Sequence, residues 1–222
     1  MSEAIEIYKA NNHEEASSCL SNLITNNILT SDKKDYSIGL SGGNTPKLAY
    51  SMMLNDIKDF SNITFWTIDD RWVPLTDKNS NQKMINFNFE QTDAKILSIK
   101  YSGDDPLQDA EFYSKSLKEN ISNFDSGVIG LGDDGHIASL FPNTTGLNEN
   151  EKLIIANEVN IISKWRISSS FKLLSSISNL YLLVTGENKK EILNKAINGS
   201  GLPINKLLEI RDNTVIITDQ NI

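Results

Sequence analysis

The sequence predicts an α/β protein with a mainly parallel sheet, and three observations carry that expectation. Short runs rich in β-branched and aromatic residues alternate along the 222-residue chain with longer stretches whose apolar residues recur at helical spacing. Glycine-containing or charged loops follow three of these runs, at Ser41–Asn44, Asp69–Pro74 and the stretch beginning at Gly130. Strands that alternate with helices in this way belong to a parallel sheet whose ligands bind at the carboxyl ends of the strands.

The elements read as follows. Ile5 to Tyr8 is a strand, and Asn11 or Asn12 starts a helix with Ala16, Cys19, Leu20, Leu23 and Ile24 on one stripe. Tyr36 to Leu40 is a second strand, followed by Ser41-Gly42-Gly43-Asn44 and a helix from Thr45. In that helix Thr45 suits the cap and Pro46 the first position, where proline wastes no hydrogen-bond donor. Ile63 to Ile68 has the length of a buried strand, Asp105 to Ile121 reads as a helix, and Val128 to Leu131 as a strand. Leu153 to Val159 and Leu180 to Thr185 are further strands, Glu187 to Ile197 is a helix, and Thr214 to Thr218 is a final strand. No repeat, low-complexity tract or linker divides the chain, so residues 1–222 read as one domain. Residues 143–170 are polar and less regular, which suggests a small subdomain or lid.

Hydrophobic residues make up 39% of the chain and charged residues 23%, ordinary for a globular protein and too apolar for disorder. No apolar run approaches a membrane span, and the start MSEAIEIYKA lacks a basic region followed by an apolar stretch. Neither membrane insertion nor secretion is expected. Cys19 is the single cysteine, so no internal disulfide forms; it is expected to be a small buried apolar residue, and a reducing cytoplasm fits. The formal net charge is −8, and no basic stripe marks a nucleic-acid surface. An anionic small molecule would meet a repulsive overall field, so its site must be assembled from a few placed cations and backbone amides.

Three loops carry residues suited to such a site. In Ser41-Gly-Gly-Asn-Thr-Pro46 two glycines precede a helix start, whose free N–H groups suit a phosphate or a developing oxyanion. A purely structural tight turn would look the same. In Asp69-Asp-Arg-Trp-Val-Pro74, followed by Ser80 and Asn81, Arg71 is one of only three arginines, with Arg166 and Arg211, among 21 basic residues. A chain that otherwise uses lysine keeps arginine where a planar, two-pronged donor matters. The plain alternative is a local ion pair, worth about 0–1 kcal/mol when exposed. The third loop, Gly130-Leu-Gly-Asp-Asp-Gly-His-Ile-Ala-Ser-Leu-Phe-Pro142, places His136 two residues after Asp134. Histidine takes or gives a proton near neutrality, although a corner-filling histidine fits the local sequence equally well. One cysteine and two histidines are too few for a zinc cluster; carboxylates leave a magnesium site open without demanding one. Arg166, in Lys164-Trp-Arg-Ile-Ser168, and Lys189, at a helix start after Thr185-Gly186, would complete with Arg71 the concentrated positive charge the acidic chain requires.

Taken together, these segments resemble the 6-phosphogluconolactonase family, in the same order and at similar spacing. Arg166-Ile-Ser resembles that family's Arg-Ile-Thr, Gly186-Glu-Asn-Lys189 its Gly-x-x-Lys, and Leu202-Pro203 with the closing strand ending Thr218-Asp219 also fits. The resemblance implies an open Rossmann-like sheet with helices on both faces, related to the glucosamine-6-phosphate deaminase and ribose-5-phosphate isomerase folds. It implies metal-independent, cofactor-free hydrolysis of 6-phosphoglucono-1,5-lactone, a phosphorylated sugar lactone, in the oxidative pentose phosphate pathway. By position, His136 is then the general base, and Arg71, Arg166 and Lys189 are phosphate-side or substrate contacts. Asp134 is further expected to hold the imidazole ring, and Gly42, Gly43, Asn44 and Thr45 to contact the substrate. Three positions depart from the pattern: Asp70 for Glu, Asn44 for Ser and Ile137 for Thr, the last being similar to the deaminase version. The Ala138-Ser-Leu-Phe-Pro142 continuation and the arginine of Asp-Asp-Arg are lactonase-like. The alternatives are a glucosamine-6-phosphate deaminase and a non-catalytic sugar-phosphate sensor.

Overall fold

The computed structural model describes residues 5–222, whose strands sort into two sheets. In chain order the strands are β1 (Ile5–Lys9), β2 (Tyr36–Leu40), β3 (Ile63–Thr67), β4 (Asp69–Arg71), β5 (Lys95–Leu97), β6 (Ser126–Ile129), β7 (Ile154–Ile161), β8 (Ser163–Ser169), β9 (Asn179–Val184) and β10 (Thr214–Thr218). The helices are α1 (His13–Leu29), α2 (Lys47–Asp56), α3 (Asn81–Phe89), α4 (Pro106–Asn120), α5 (Phe171–Ser176), α6 (Lys190–Ile197) and α7 (Pro203–Ile210). Seven strands form a sheet in the order β1-β10-β9-β6-β2-β3-β5, with every pair parallel. The other three, β4-β8-β7, form a small antiparallel sheet.

The two-residue repeat of the strands explains why helices lie on both faces. On one face Ile38, Leu40, Phe65, Tyr181 and Leu183 meet Leu20 and Ile24 of α1, Tyr50 and Met53 of α2, and Phe89 of α3. On the other, Trp66, Leu180, Leu182 and Ile216 meet Leu117 of α4, Leu174 of α5, Leu193 of α6, Leu207 of α7 and the inner residues of the small sheet. Cys19 is only partly buried at the edge of the first cluster, not within it as its stripe suggested, because the contact face of α1 centres on Ala16, Leu20 and Ile24. No helix among the described residues is long and apolar enough to cross a membrane.

The expected start of the helix after β2 also requires correction. The helix after β2 starts at Lys47, not Thr45: Pro46 is the flanking residue, and no side chain caps this end. The chain from Asn44 to Lys47 is taken up by a turn, closed by the Lys47 amide on the Asn44 carbonyl at 3.3 Å, so Thr45 is not placed to cap. The segment 143–170 is also more regular than it reads, since β7 and β8 form a hairpin within it. Its polar residues mask the strand pattern because Asn157, Arg166, Ser168 and Ser169 are buried inside this sheet, each with hydrogen-bond partners.

The small sheet is attached to the large one through Ile68. Its amide donates to the Leu40 carbonyl of β2 at 2.9 Å, while its carbonyl accepts from the Ser169 amide of β8 at 2.8 Å. The strand expected to reach Ile68 therefore leaves the large sheet there and continues as β4. Asp70, on the far face of β4, accepts from the Asn81 amide (2.6 Å), the Gln82 amide (2.9 Å) and the Ser80 hydroxyl (2.9 Å), which anchors β4 on the start of α3. Burial pushes the Asp70 carboxyl up to about 6, although these hydrogen bonds pull it down. A carboxyl that takes up its proton at higher pH in the native state than in the unfolded chain favours the native state progressively as pH falls through 6. Asp70→Asn keeps the position neutral at every pH. Urea unfolding at pH 7 and pH 5 should therefore show the parent chain gaining roughly 1 kcal/mol on the variant upon acidification. Parallel pH dependences would contradict this role for Asp70.

Candidate active site

The order of the large sheet opens a crevice at the carboxyl ends of β2 and β6. From β2 the chain moves outward to β3 and β5, then returns on the opposite side of β2 with β6, β9 and β10. Loops leaving β2 and β6 consequently diverge, the geometry at which open α/β sheets bind ligands. A cavity of about 480 Å³ lies there, lined by Gly42 and Gly43 after β2, Asp69 and Arg71 of β4, Asp134, His136 and Phe141 after β6, and Arg166 of β8.

The loop after β6 is built around the histidine. The Gly132 amide donates to the His136 carbonyl at 2.9 Å, which folds the loop back on itself. The imidazole lies over Gly132 so closely that a Cβ there would fall 2.0 Å from Nδ1. The ring also stacks on Phe141, with centroids 3.8 Å apart. Nδ1 meets the Asp134 carboxylate at 2.5 Å, and the same carboxylate accepts the His136 amide at 3.1 Å. Partial burial acts to raise the Asp134 carboxyl, but the hydrogen bonds from the His136 ring and backbone outweigh it and hold the carboxyl below its usual range. With Nδ1 engaged and the side chain still 27% exposed, Nε2 is the nitrogen left for a ligand in the cavity.

Two guanidinium groups line the same cavity as the histidine. Arg71 and Arg166 occupy directly paired positions across β4 and β8. Like charges at such positions repel unless something lies between them. Arg71 Nη1 donates to the Asn79 carbonyl (2.9 Å) and Asn81 Oδ1 (3.1 Å), while Arg166 Nη2 donates to the Ile161 carbonyl (2.7 Å). Both Nε atoms are buried without a partner among the described residues. Burial and then the charge of Arg71 push the Arg166 guanidinium below its ordinary value, with Asp69 and Asp70 acting the other way. An anion received by Arg71 Nη2 and Arg166 Nη1, the terminal nitrogens without a protein partner among the described residues, would offset the repulsion.

The remaining expected residues divide. Gly42 and Gly43 line the cavity, and Gly42 abuts Asn81 so tightly that a Cβ would fall 1.9 Å from its Oδ1. Thr45 and Lys189 line a smaller adjoining cleft of about 80 Å³, which shares Ser41, Gly42, Gly130 and Leu131 with the main cavity. Lys189 does not join the arginine pair: its Nζ contacts Asp133 at 2.5 Å and donates to the Leu131 carbonyl at 2.8 Å. Asn44 faces away, accepting from Lys47 Nζ at 2.8 Å. All three departures from the resemblance lie off the cavity: Asn44 at this surface turn, Asp70 beneath β4, and Ile137 fully buried in the core. Sequence reasoning missed Asp69 and Ser139 as cavity residues. The alternation of β4 was the available signal for Asp69, since it shares a face with Arg71. Among the described residues no group of three or more His, Cys, Asp or Glu is placed to hold a metal ion.

Comparison with known proteins shows similarity in sequence and in fold. The sequence model of the family "Glucosamine-6-phosphate isomerases/6-phosphogluconolactonase" matches residues 11–216. A 6-phosphogluconolactonase from Haemophilus influenzae is 34% identical over 166 residues, covering 70% of this chain and 71% of the relative. One from Synechocystis is 32% identical over 191 residues, covering 81% and 78%. The fold is similar to that of the 6-phosphogluconolactonase from Trypanosoma cruzi, with a TM-score of 0.86 at 24% identity over 98% of this chain and 96% of the other.

The arginine pair yields a prediction independent of any reaction. Inorganic phosphate should raise the Tm with concentration, stabilising the chain by about 2.7 kcal/mol at one hundred times its Kd. Arg166→Met keeps the apolar stem and removes the fork, so the rise should disappear. A phosphate-insensitive Tm in the parent chain would refute an anion site between the two arginines.

Proposed function

This chain belongs to the glucosamine-6-phosphate isomerase/6-phosphogluconolactonase family, and on that footing we propose that it hydrolyses 6-phosphoglucono-1,5-lactone to 6-phosphogluconate with His136 as general base. The reaction is the lactone-opening step of the oxidative pentose phosphate pathway. One observation carries the assignment of roles: the imidazole, braced by Asp134 through Nδ1, faces the same cavity as the Arg71–Arg166 pair.

A lactone is an activated ester, so a water molecule needs modest activation and no covalent intermediate with the protein. His136 Nε2 accepts a proton as the water oxygen bonds to C1. Asp134 fixes the ring and stabilises the imidazolium that forms, as the carboxylate does in other histidine-based hydrolases. The carbonyl oxygen gains negative charge, for which the amides of Gly42 and Gly43 are the available donors at the cavity wall. When the carbonyl re-forms, the bond from C1 to the ring oxygen breaks and that oxygen takes the proton from the imidazolium. Arg71 and Arg166 hold the 6-phosphate, and this remote binding energy orients C1 toward the histidine. Lys189 contributes at the rim, where its pairing with Asp133 holds the loop after β6 against the turn after β9. The whole chain acts as one domain in this reading, with the β7–β8 hairpin forming a wall of the site. A reducing cytoplasm is the location the reading assigns, supported by the single cysteine.

His136→Ala should lower kcat by about 10²–10⁴-fold in a pH-monitored lactone assay corrected for spontaneous hydrolysis, while leaving the phosphate-dependent rise in Tm intact. A near-normal kcat would remove the base assignment. Gly132→Ala, whose methyl group would displace the ring, should also reduce kcat with the fold retained. Ammonia release from glucosamine 6-phosphate in place of lactone turnover would favour the deaminase reaction. Binding of 6-phosphogluconate with turnover of neither substrate would favour a sensor.

A further inference from the structure

We propose that Asp69 is the residue that recognises the hydroxyl-bearing carbon chain of the substrate, accepting a hydroxyl hydrogen bond on its cavity-facing carboxylate oxygen. The proposal rests on the sugar-phosphate reading above and adds a specificity-determining residue to it. Asp69 and Arg71 are two residues apart on β4, so they share the face that Asp70 turns away from. Their cross-strand partners on β8 are Ser168 and Arg166. Asp69 is only 6% exposed, and that exposure is to the cavity.

The carboxylate is held in place on one side only. Oδ2 accepts from the Ser139 hydroxyl at 2.6 Å. Ser139 is itself fixed, its amide donating to Ser168 Oγ at 3.0 Å and its carbonyl accepting from Asn157 Nδ2 at 2.8 Å. Ser139, Ser168 and Asn157 are all fully buried, so this network cannot rearrange cheaply. Asp69 lies close enough to favour the charged form of Arg166, yet among the described residues it forms no ion pair with either arginine. Arg71 Nη2 and Arg166 Nη1 thus remain for an anion, and Asp69 Oδ1 remains for a different partner.

The chemistry of that partner follows from the acceptor. A carboxylate offers only acceptor sites and repels a phosphate, so it suits a neutral hydroxyl donor. A chain with a phosphate at one end and hydroxyls along its length meets both requirements: the arginines take the phosphate, and Asp69 takes a hydroxyl. An analogue without hydroxyls leaves a rigid, desolvated acceptor unpaired, which is how a polar site rejects a ligand of the same length.

The test compares, by calorimetry, 6-phosphogluconate with 6-phosphohexanoate, which keeps both anionic ends and lacks the hydroxyls. The parent chain should bind 6-phosphogluconate about tenfold or more tightly than the analogue. Asp69→Asn should erase most of that preference while leaving 6-phosphohexanoate binding unchanged or tighter. A loss of affinity common to both ligands, or a preserved preference, would overturn the proposal. Should Asp69→Asn fail to fold, Ser139→Ala serves in its place. Freeing Oδ2 should then reduce the preference severalfold, and an unchanged preference would count against Asp69. Equal binding of the two ligands by the parent chain sinks this proposal alone, whereas binding of neither sinks the sugar-phosphate reading beneath it.

Discussion

The two-residue repeat of β4 organises both the attachment of the small sheet and the composition of the cavity. Successive side chains of a strand point to opposite faces, so a segment of three residues places its outer two on one side and its middle one on the other. Here the middle residue, Asp70, satisfies amides at the start of α3, while the outer two, Asp69 and Arg71, reach the cavity. A slip of one residue would exchange these roles, burying a guanidinium against a helix start and directing Asp70 at the ligand. Hydrogen bonds from Ile68 to β2 and β8 on one side, and from α3 to Asp70 on the other, oppose that slip.

The charge distribution follows the same logic. A chain of net charge −8 repels an anionic ligand at long range, so attraction must come from short-range, partly desolvated donors. Opposing two arginines across an antiparallel pair provides them at the expense of mutual repulsion, and both guanidinium groups retain a buried, unpartnered Nε. The histidine loop works by enclosure instead. The stack on Phe141, the close approach of Gly132 and the Asp134 contact at Nδ1 restrict the imidazole.

The parts of this arrangement visible in the sequence are those with a local signature. β2, β10 and α4 emerge within a residue or so of their expected ends because apolar spacing and turn residues bound them clearly. Gly132, Asp134 and His136 sit in one contiguous loop, so their association needs no tertiary information. Elements that bury polar groups escaped. α3, with its sequence NQKMINFNF, buries Asn81 and Gln82 at its start and leaves Phe87 exposed, so its apolar residues do not mark its buried face. The β7–β8 hairpin hides its pattern behind buried Asn157, Arg166 and serines. Charge, a place just past a strand end and the resemblance group Lys189 with the arginines, and only the fold shows that Asp133 and the Leu131 carbonyl already engage it. Asp69 escaped as a cavity residue because sequence adjacency does not reveal Ser139, which lies 70 residues away and fixes it.

The account stands on one spatial claim, that a single ligand spans from the arginine pair to the histidine. A crystal structure with bound 6-phosphogluconate tests it directly. The phosphate should lie between the Arg71 and Arg166 guanidinium groups, with the C1 carboxylate within hydrogen-bond reach of His136 Nε2. A product bound the other way round, or with its phosphate on Lys189 in the smaller cleft, would contradict it.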